Sequence, residues 1–69
     1  MTTNEYRVTG MTCAHCEMSV REEVSEIAGV EDISVSAESG SLVVTASSEL
    51  DDATVLAAVE EAGYSAVRV

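Results

Sequence analysis

Sixty-nine residues, 46% of them apolar and mostly Val and Ala, with two Tyr and neither Trp nor Phe, allow one small α+β domain with a thin core. Thirteen acidic residues against three arginines and no lysine give a net charge of -10, which repels DNA, RNA and anionic membrane and excludes a nucleic-acid-binding role. No apolar run approaches the ~20 residues that cross a bilayer, so membrane insertion is not expected.

The segment Met1-Thr2-Thr3-Asn4-Glu5 lacks the basic region and apolar stretch of a secretory signal, so the expected location is the cytoplasm. In that reducing compartment two cysteines at short spacing read as a metal or redox site and not as a structural bridge. The acidic excess, with lysine absent altogether, reads as adaptation to a salt-rich cytoplasm, where screening removes most of the self-repulsion.

In chain order, Glu5 to Thr9 alternate, with Tyr6 and Val8 on one face, and predict a strand that Gly10 ends. The stretch Met11-Thr12-Cys13-Ala14-His15-Cys16 leads into a helix. Cys16, Val20, Val24 and Ile27 form its apolar stripe, Glu17 and Arg21 an i,i+4 pair on its flank, and Gly29 its end. Val30 to Ser36, with Ile33 and Val35 alternating, predict a second strand. The turn signal Glu38-Ser39-Gly40 joins it as a hairpin to a third, Ser41 to Ala46, with Leu42 and Val44 on one face.

Ser48 and Asp51 are both plausible caps of a second helix, and Asp51 and Asp52 suit its positive end. Val55, Ala58, Val59 and Ala62 form its buried stripe, Gly63 closes it, and Tyr64 to Val69 make the last strand. The order β-α-β-β-α-β, over residues 1–69 as a single domain, predicts the ferredoxin-like arrangement: a four-stranded antiparallel sheet with both helices on one face.

The chemistry lies in the placement of the cysteines. Cys13 falls in the loop after the first strand and Cys16 in the first turn of the helix, a spacing that lets both sulfurs converge beyond the helix N-terminus. The unpaired N–H groups and the dipole there favour thiolates. Cys16 starts the apolar stripe and is expected inward; Cys13 is expected to be the more exposed sulfur. Two thiolates with no obvious further ligand suit a soft ion that tolerates low coordination, as Cu(I) does. With only two cysteines and His15, one monomer cannot build a closed Cys/His zinc site. Low coordination also suits a carrier, because a partner's thiolate can add to the metal before one of the original sulfurs leaves.

Gly10-Met11-Thr12-Cys13-Ala14-His15-Cys16 resembles the Gly-Met-x-Cys-x-x-Cys signature of the heavy-metal-associated domain family, and Val20, Val24, Ile27, Gly29, Val30 and Gly63-Tyr64 resemble its framework. The resemblance covers nearly the whole chain. It implies a cytosolic copper chaperone of the bacterial or archaeal type, or a detached metal-binding domain of a copper-exporting P-type ATPase. The implied cargo is one Cu(I) per monomer on Cys13 and Cys16, and the implied partner a copper-transporting P-type ATPase or a copper-responsive regulator. A monomer is expected; whether copper draws two molecules together through shared thiolates stays open. A start at Met1 and an end without a linker favour the chaperone.

Around the pair, Met11 reads as a core residue beneath the loop and His15 as a solvent-facing neighbour of the site. Thr12 is a candidate donor to a sulfur. Tyr64 is expected to approach the loop from the other side of the domain, matching a tyrosine of bacterial-type chaperones, where eukaryotic-type relatives carry a lysine. The acidic face Glu17, Glu22, Glu23 and Glu26 reads as solvated, with a basic partner patch as its alternative.

A thioredoxin-like redox site is disfavoured by the absence of proline and of a Trp beside the motif. The resemblance also covers carriers of other soft metals: mercury-binding relatives are expected to be exported, and zinc- and cadmium-handling relatives often place an acidic residue where this chain has Thr12. Neither a general acid-base pair, nor a nucleophile with a base, nor a phosphate loop is present, so no enzymatic activity is expected.

Overall fold

The computed structural model describes residues 2–11 and 14–69. Six elements follow in the order β1 (Thr2–Thr9), α1 (Ala14–Ser25), β2 (Val30–Ser36), β3 (Ser41–Ala46), α2 (Asp52–Glu61) and β4 (Ser65–Arg68). The strands form one antiparallel sheet in the order β2-β3-β1-β4, the ferredoxin-like arrangement expected from the element order. Period-two alternation on β1 buries Asn4, Tyr6 and Val8, and on β3 Leu42, Val44 and Ala46, all on one face. Both helices cover that face. α1 lies against β2 and α2, while α2 lies against β4. Their buried stripes, Cys16, Val20 and Val24 on one and Val55 and Val59 on the other, close a core together with Met11 and Leu50.

Two departures from regular periodicity have local causes. Val30, Ile33 and Val35 all pack on the core although Val30 and Ile33 are an odd number apart. The β2–β3 register shifts between Val30 and Asp32, and this bulge takes up one residue so that both side chains face inward. β1 begins at Thr2 and not at Glu5, because Thr2, Thr3 and Asn4 pair with Ala46, Thr45 and Val44. The alternation therefore extends back to a buried asparagine that carries no apolar signal.

The helix ends are also specific. α1 stops at Ser25, and a tighter bond from the Ile27 N–H to the Val24 carbonyl (3.1 Å) keeps Ile27 against the core beyond the helix. Asp51, not Ser48, caps α2, its carboxylate accepting from the Ala53 N–H at 2.9 Å. At the other end the Tyr64 N–H reaches the Val59 carbonyl (3.1 Å) and the Gly63 N–H the Glu60 carbonyl (2.9 Å). With Gly63 at φ +96°, this is a Schellman closure. It puts Tyr64 in the turn after α2, one residue ahead of β4, where the sequence suggested the strand itself.

The Glu17–Arg21 helix pair is replaced by one contact to the sheet and one to the turn that follows β2. The Arg21 guanidinium donates to the Ile33 carbonyl at 2.9 Å, and Glu17 Oε2 accepts from the Ala37 N–H at 2.6 Å. Arg21 lies over β2, on which α1 packs, and Glu17 over the turn after it, and unsatisfied backbone groups there outcompete a solvated ion pair.

Candidate metal centre

Three connections meet at one end of the sheet: the loop from β1 to α1, the turn from β2 to β3, and the turn from α2 to β4. Antiparallel pairing brings them together, since Val8 on the last stretch of β1 lies opposite Ala66, and its N–H donates to the Gly40 carbonyl at 2.6 Å. Cys16 is the third residue of α1, placed there by the same stripe that buries Val20 and Val24, and it is 7% exposed. Met11 is 8% exposed and belongs to the same apolar cluster. The floor beneath the loop is thus apolar, as expected of Met11, and the Cys16 side chain faces inward, also as expected.

His15, one residue earlier, is exposed. Tyr64 is half-buried against the core, and its Cδ1 lies 3.4 Å from where a Cβ on Gly10 would stand. It reaches the start of the loop from the far side because the Schellman closure delivers it there. Cys13 and Thr12 lie outside the described residues. Among the described residues, no three His, Cys, Asp or Glu side chains gather as a metal site. Glu17, the carboxylate next to Cys16 in sequence, is bound to the Ala37 N–H.

The opposite end holds a polar cluster that the sequence reading missed. Asp52 Oδ1 accepts from Asn4 Nδ2 (3.1 Å), the Tyr6 hydroxyl (2.9 Å) and Arg68 (2.8 Å). Asn4 also donates to the Tyr6 oxygen at 3.2 Å, and the Arg68 guanidinium lies over the Tyr6 ring, 5.7 Å from its centroid. Burial pushes the Tyr6 phenol above its ordinary 10.0; the Asn4 hydrogen bond opposes this and Asp52 reinforces it. The available signal was the spacing Asn4, Tyr6, Val8, which puts a polar residue on a core face and requires a partner for it.

Fold and site together define a small β-α-β-β-α-β domain that presents an inward-facing cysteine from the first turn of its first helix. Residues 5–65 match the heavy-metal-associated domain, and the chain belongs to that family. It is 40% identical over 60 residues to a zinc/cadmium/lead-transporting P-type ATPase of Shigella sonnei (strain Ss046), a match that covers 87% of this chain but spans only 8% of that protein's length. The N-terminal domain of ZntA in its apo form superposes with a TM-score of 0.89 at 35% identity, over 99% of this chain and 92% of that one. The CopZ metallochaperone superposes with a TM-score of 0.88 at 30% identity, over 96% of this chain and all of the other. No helix among the described residues is long and apolar enough to cross a membrane.

Proposed function

We propose that this chain is a carrier, without catalytic turnover, for one soft metal ion, and that its cargo is Cu(I) held between the thiolates of Cys13 and Cys16. The observation that carries the reading is Cys16, buried at the head of α1 above an apolar floor that includes Met11. A sulfur in that position, with Cys13 three residues before it, suits a low-coordinate thiophilic ion better than a closed four-ligand zinc site. Family membership and the likeness to the CopZ metallochaperone support it.

Transfer then proceeds by thiolate exchange: a partner sulfur adds to the metal, a three-sulfur state forms, and one of the two original sulfurs leaves. The partner is a copper-transporting P-type ATPase or a copper-responsive regulator, and the carrier works in the cytoplasm as a single domain and a monomer. Thr12, His15 and Tyr64 border the site and tune it. The acidic surface is an adaptation to concentrated salt.

A second reading, a carrier or pump domain for Zn(II), Cd(II) or Pb(II), draws on the 40% identity to the zinc/cadmium/lead transporter. Thr12 favours copper, because hard carboxylate oxygens suit the divalent ions and are missing immediately before Cys13. Anaerobic titration of the reduced protein with competing Cu(I) and Zn(II), read by native mass spectrometry, tests both. One Cu(I) per monomer is expected, lost when both cysteines become serine. Retention of Zn(II) in preference to Cu(I) transfers the function to the second reading, and equal copper retention by the serine variant overturns both.

A further inference from the structure

The turn between β2 and β3 is bonded both to the end of β1 and to the first turn of α1, the two elements that flank the cysteine motif. On the strand side, the Val8 N–H donates to the Gly40 carbonyl at 2.6 Å, two residues before Gly10. On the helix side, Glu17 Oε2 accepts from the Ala37 N–H at 2.6 Å, one residue after Cys16. The turn is itself closed, with the Gly40 N–H on the Ser36 carbonyl at 2.9 Å and the Ser39 N–H on Ser36 Oγ at 3.4 Å. Residues 8 to 17 therefore form a chain whose two ends are tied to one rigid four-residue turn. Glu17 differs in this from Glu22 further along α1 and Glu26 just past its end, which are exposed; Glu17 is half-buried and its bond spans 20 residues of sequence.

We propose that Glu17 is a positioning residue for the thiolate pair, and that the β2–β3 turn is the brace on which it acts. A two-sulfur site depends on the span between its sulfurs to within ~0.5 Å. The first turn of a helix is where the backbone frays most readily, its N–H groups having no intrahelical partner. A charged acceptor on a backbone N–H is among the stronger local ties available. Here it fixes the turn of α1 that carries Cys16 relative to the strand from which the loop departs. This inference rests on the proposed carrier reading for its functional consequence, and on geometry alone for its effect on Cys16.

The test compares the reduced protein with Glu17→Gln, Glu17→Ala and Glu17→Asp, using Glu22→Ala as a control for lost surface charge. Gln keeps an oxygen within reach of the Ala37 N–H, Ala removes it, and Asp keeps the charge but falls one methylene short. In metal-free protein, alkylation of Cys16 by iodoacetamide, followed by peptide mass spectrometry, is expected to speed up about fivefold in Glu17→Ala and Glu17→Asp and less than about twofold in Glu17→Gln. Cu(I) retention against a competing chelator is expected to weaken about tenfold in the first two and to be restored in Glu17→Gln.

Should the alanine variant fail to fold, Asp and Gln carry the comparison. Equal effects of Gln, Ala and Glu22→Ala on retention would reduce the role of Glu17 to charge and overturn the proposal. Unchanged alkylation in Glu17→Ala and Glu17→Asp would also overturn it. Absence of copper binding by the wild type removes the carrier reading, while the alkylation rates still decide whether the brace exists.

Discussion

Replacing Asp52 by alanine is expected to be costly for a change at a partly exposed polar side chain away from the metal loop. One oxygen of this carboxylate is the common acceptor for Asn4, Tyr6 and Arg68. Tyr6 is fully buried, so removing the acceptor strands its hydroxyl proton away from water, while Asn4, 5% exposed, loses one bond and keeps the Tyr6 oxygen and the Leu50 carbonyl. The stranded hydroxyl costs ~1–3 kcal/mol and the lost Asn4 bond ~0.5–1.5 kcal/mol. The Arg68 pair is different: both side chains are more than 40% exposed, and its share is within ~0–1 kcal/mol after screening. The total of about 3 kcal/mol is a large part of the ~3–10 kcal/mol a chain of this length possesses. At ~4–8 °C per kcal/mol for a small domain, it lowers the melting temperature by ~12–24 °C. Asp52→Asn keeps one acceptor oxygen and should lose less than half of that. Circular dichroism melts of the reduced protein in molar salt, where removing one negative charge matters least, give the number. A shift in Asp52→Ala smaller than ~4 °C would show that the Tyr6 hydroxyl finds water or another acceptor, and the reasoning would fail.

Raising the pH should destabilise the fold through the same cluster. The folded Tyr6 phenol titrates above its ordinary 10.0, so stability is full below that value and falls as pH rises from it through the folded value. Tyr6→Phe should flatten this part of the pH–stability curve in denaturant titrations. Gly40→Ala should cost ~1–3 kcal/mol, measured by urea unfolding, because φ is +71° and the new Cβ would lie 2.9 Å from the Val8 carbonyl oxygen. Stability should also rise with KCl: thirteen acids face three arginines, and molar salt shortens the screening length to ~3 Å. Equal melting temperatures in dilute buffer and molar KCl would remove the salt-adaptation reading.

Periodicity exposed most of the fold because apolar burial is what periodicity encodes. Tyr6 and Val8, Leu42 and Val44, and Val55 and Val59 were placed on the correct faces for that reason, and the glycines at 29, 40 and 63 marked real chain reversals. Polar partnerships were hidden. Asn4 looks like a loop residue until β1 is seen to pair with the end of β3, and Asp52 looks like an ordinary first-turn acid until Arg68 arrives from a strand 16 residues away. Helix geometry alone pairs Glu17 with Arg21; the backbone of β2 that binds Arg21 and of the following turn that binds Glu17 is invisible to a local rule. Around the site, the inward side chain of Cys16 followed from the helical stripe, the buried Met11 from its apolar side chain and the exposed His15 from its place between the cysteines, whereas the turn that carries Tyr64 reads as strand in the sequence.

The two polar clusters lie at opposite ends of the sheet. Asn4 belongs to one and Val8 to the other, four residues apart on β1, so at ~3.3 Å of rise about 13 Å of strand separates them. One cluster ties β1, α2 and β4 into a stable frame; the other ties the metal loop to a turn. This separation predicts a dissociation of effects. Asp52→Ala should lower the melting temperature while leaving the Cys16 alkylation rate and the Cu(I) affinity of the folded protein within about twofold of wild type, since sites more than ~7–10 Å apart with no shared partners behave additively. Glu17→Ala should do the reverse, changing both cysteine readouts for a modest loss of stability. If Asp52→Ala instead loosened Cys16 at a temperature where the protein is folded, the metal end would depend on the frame as a whole, and the local brace at residues 36–40 would be an insufficient account of how the sulfur is held.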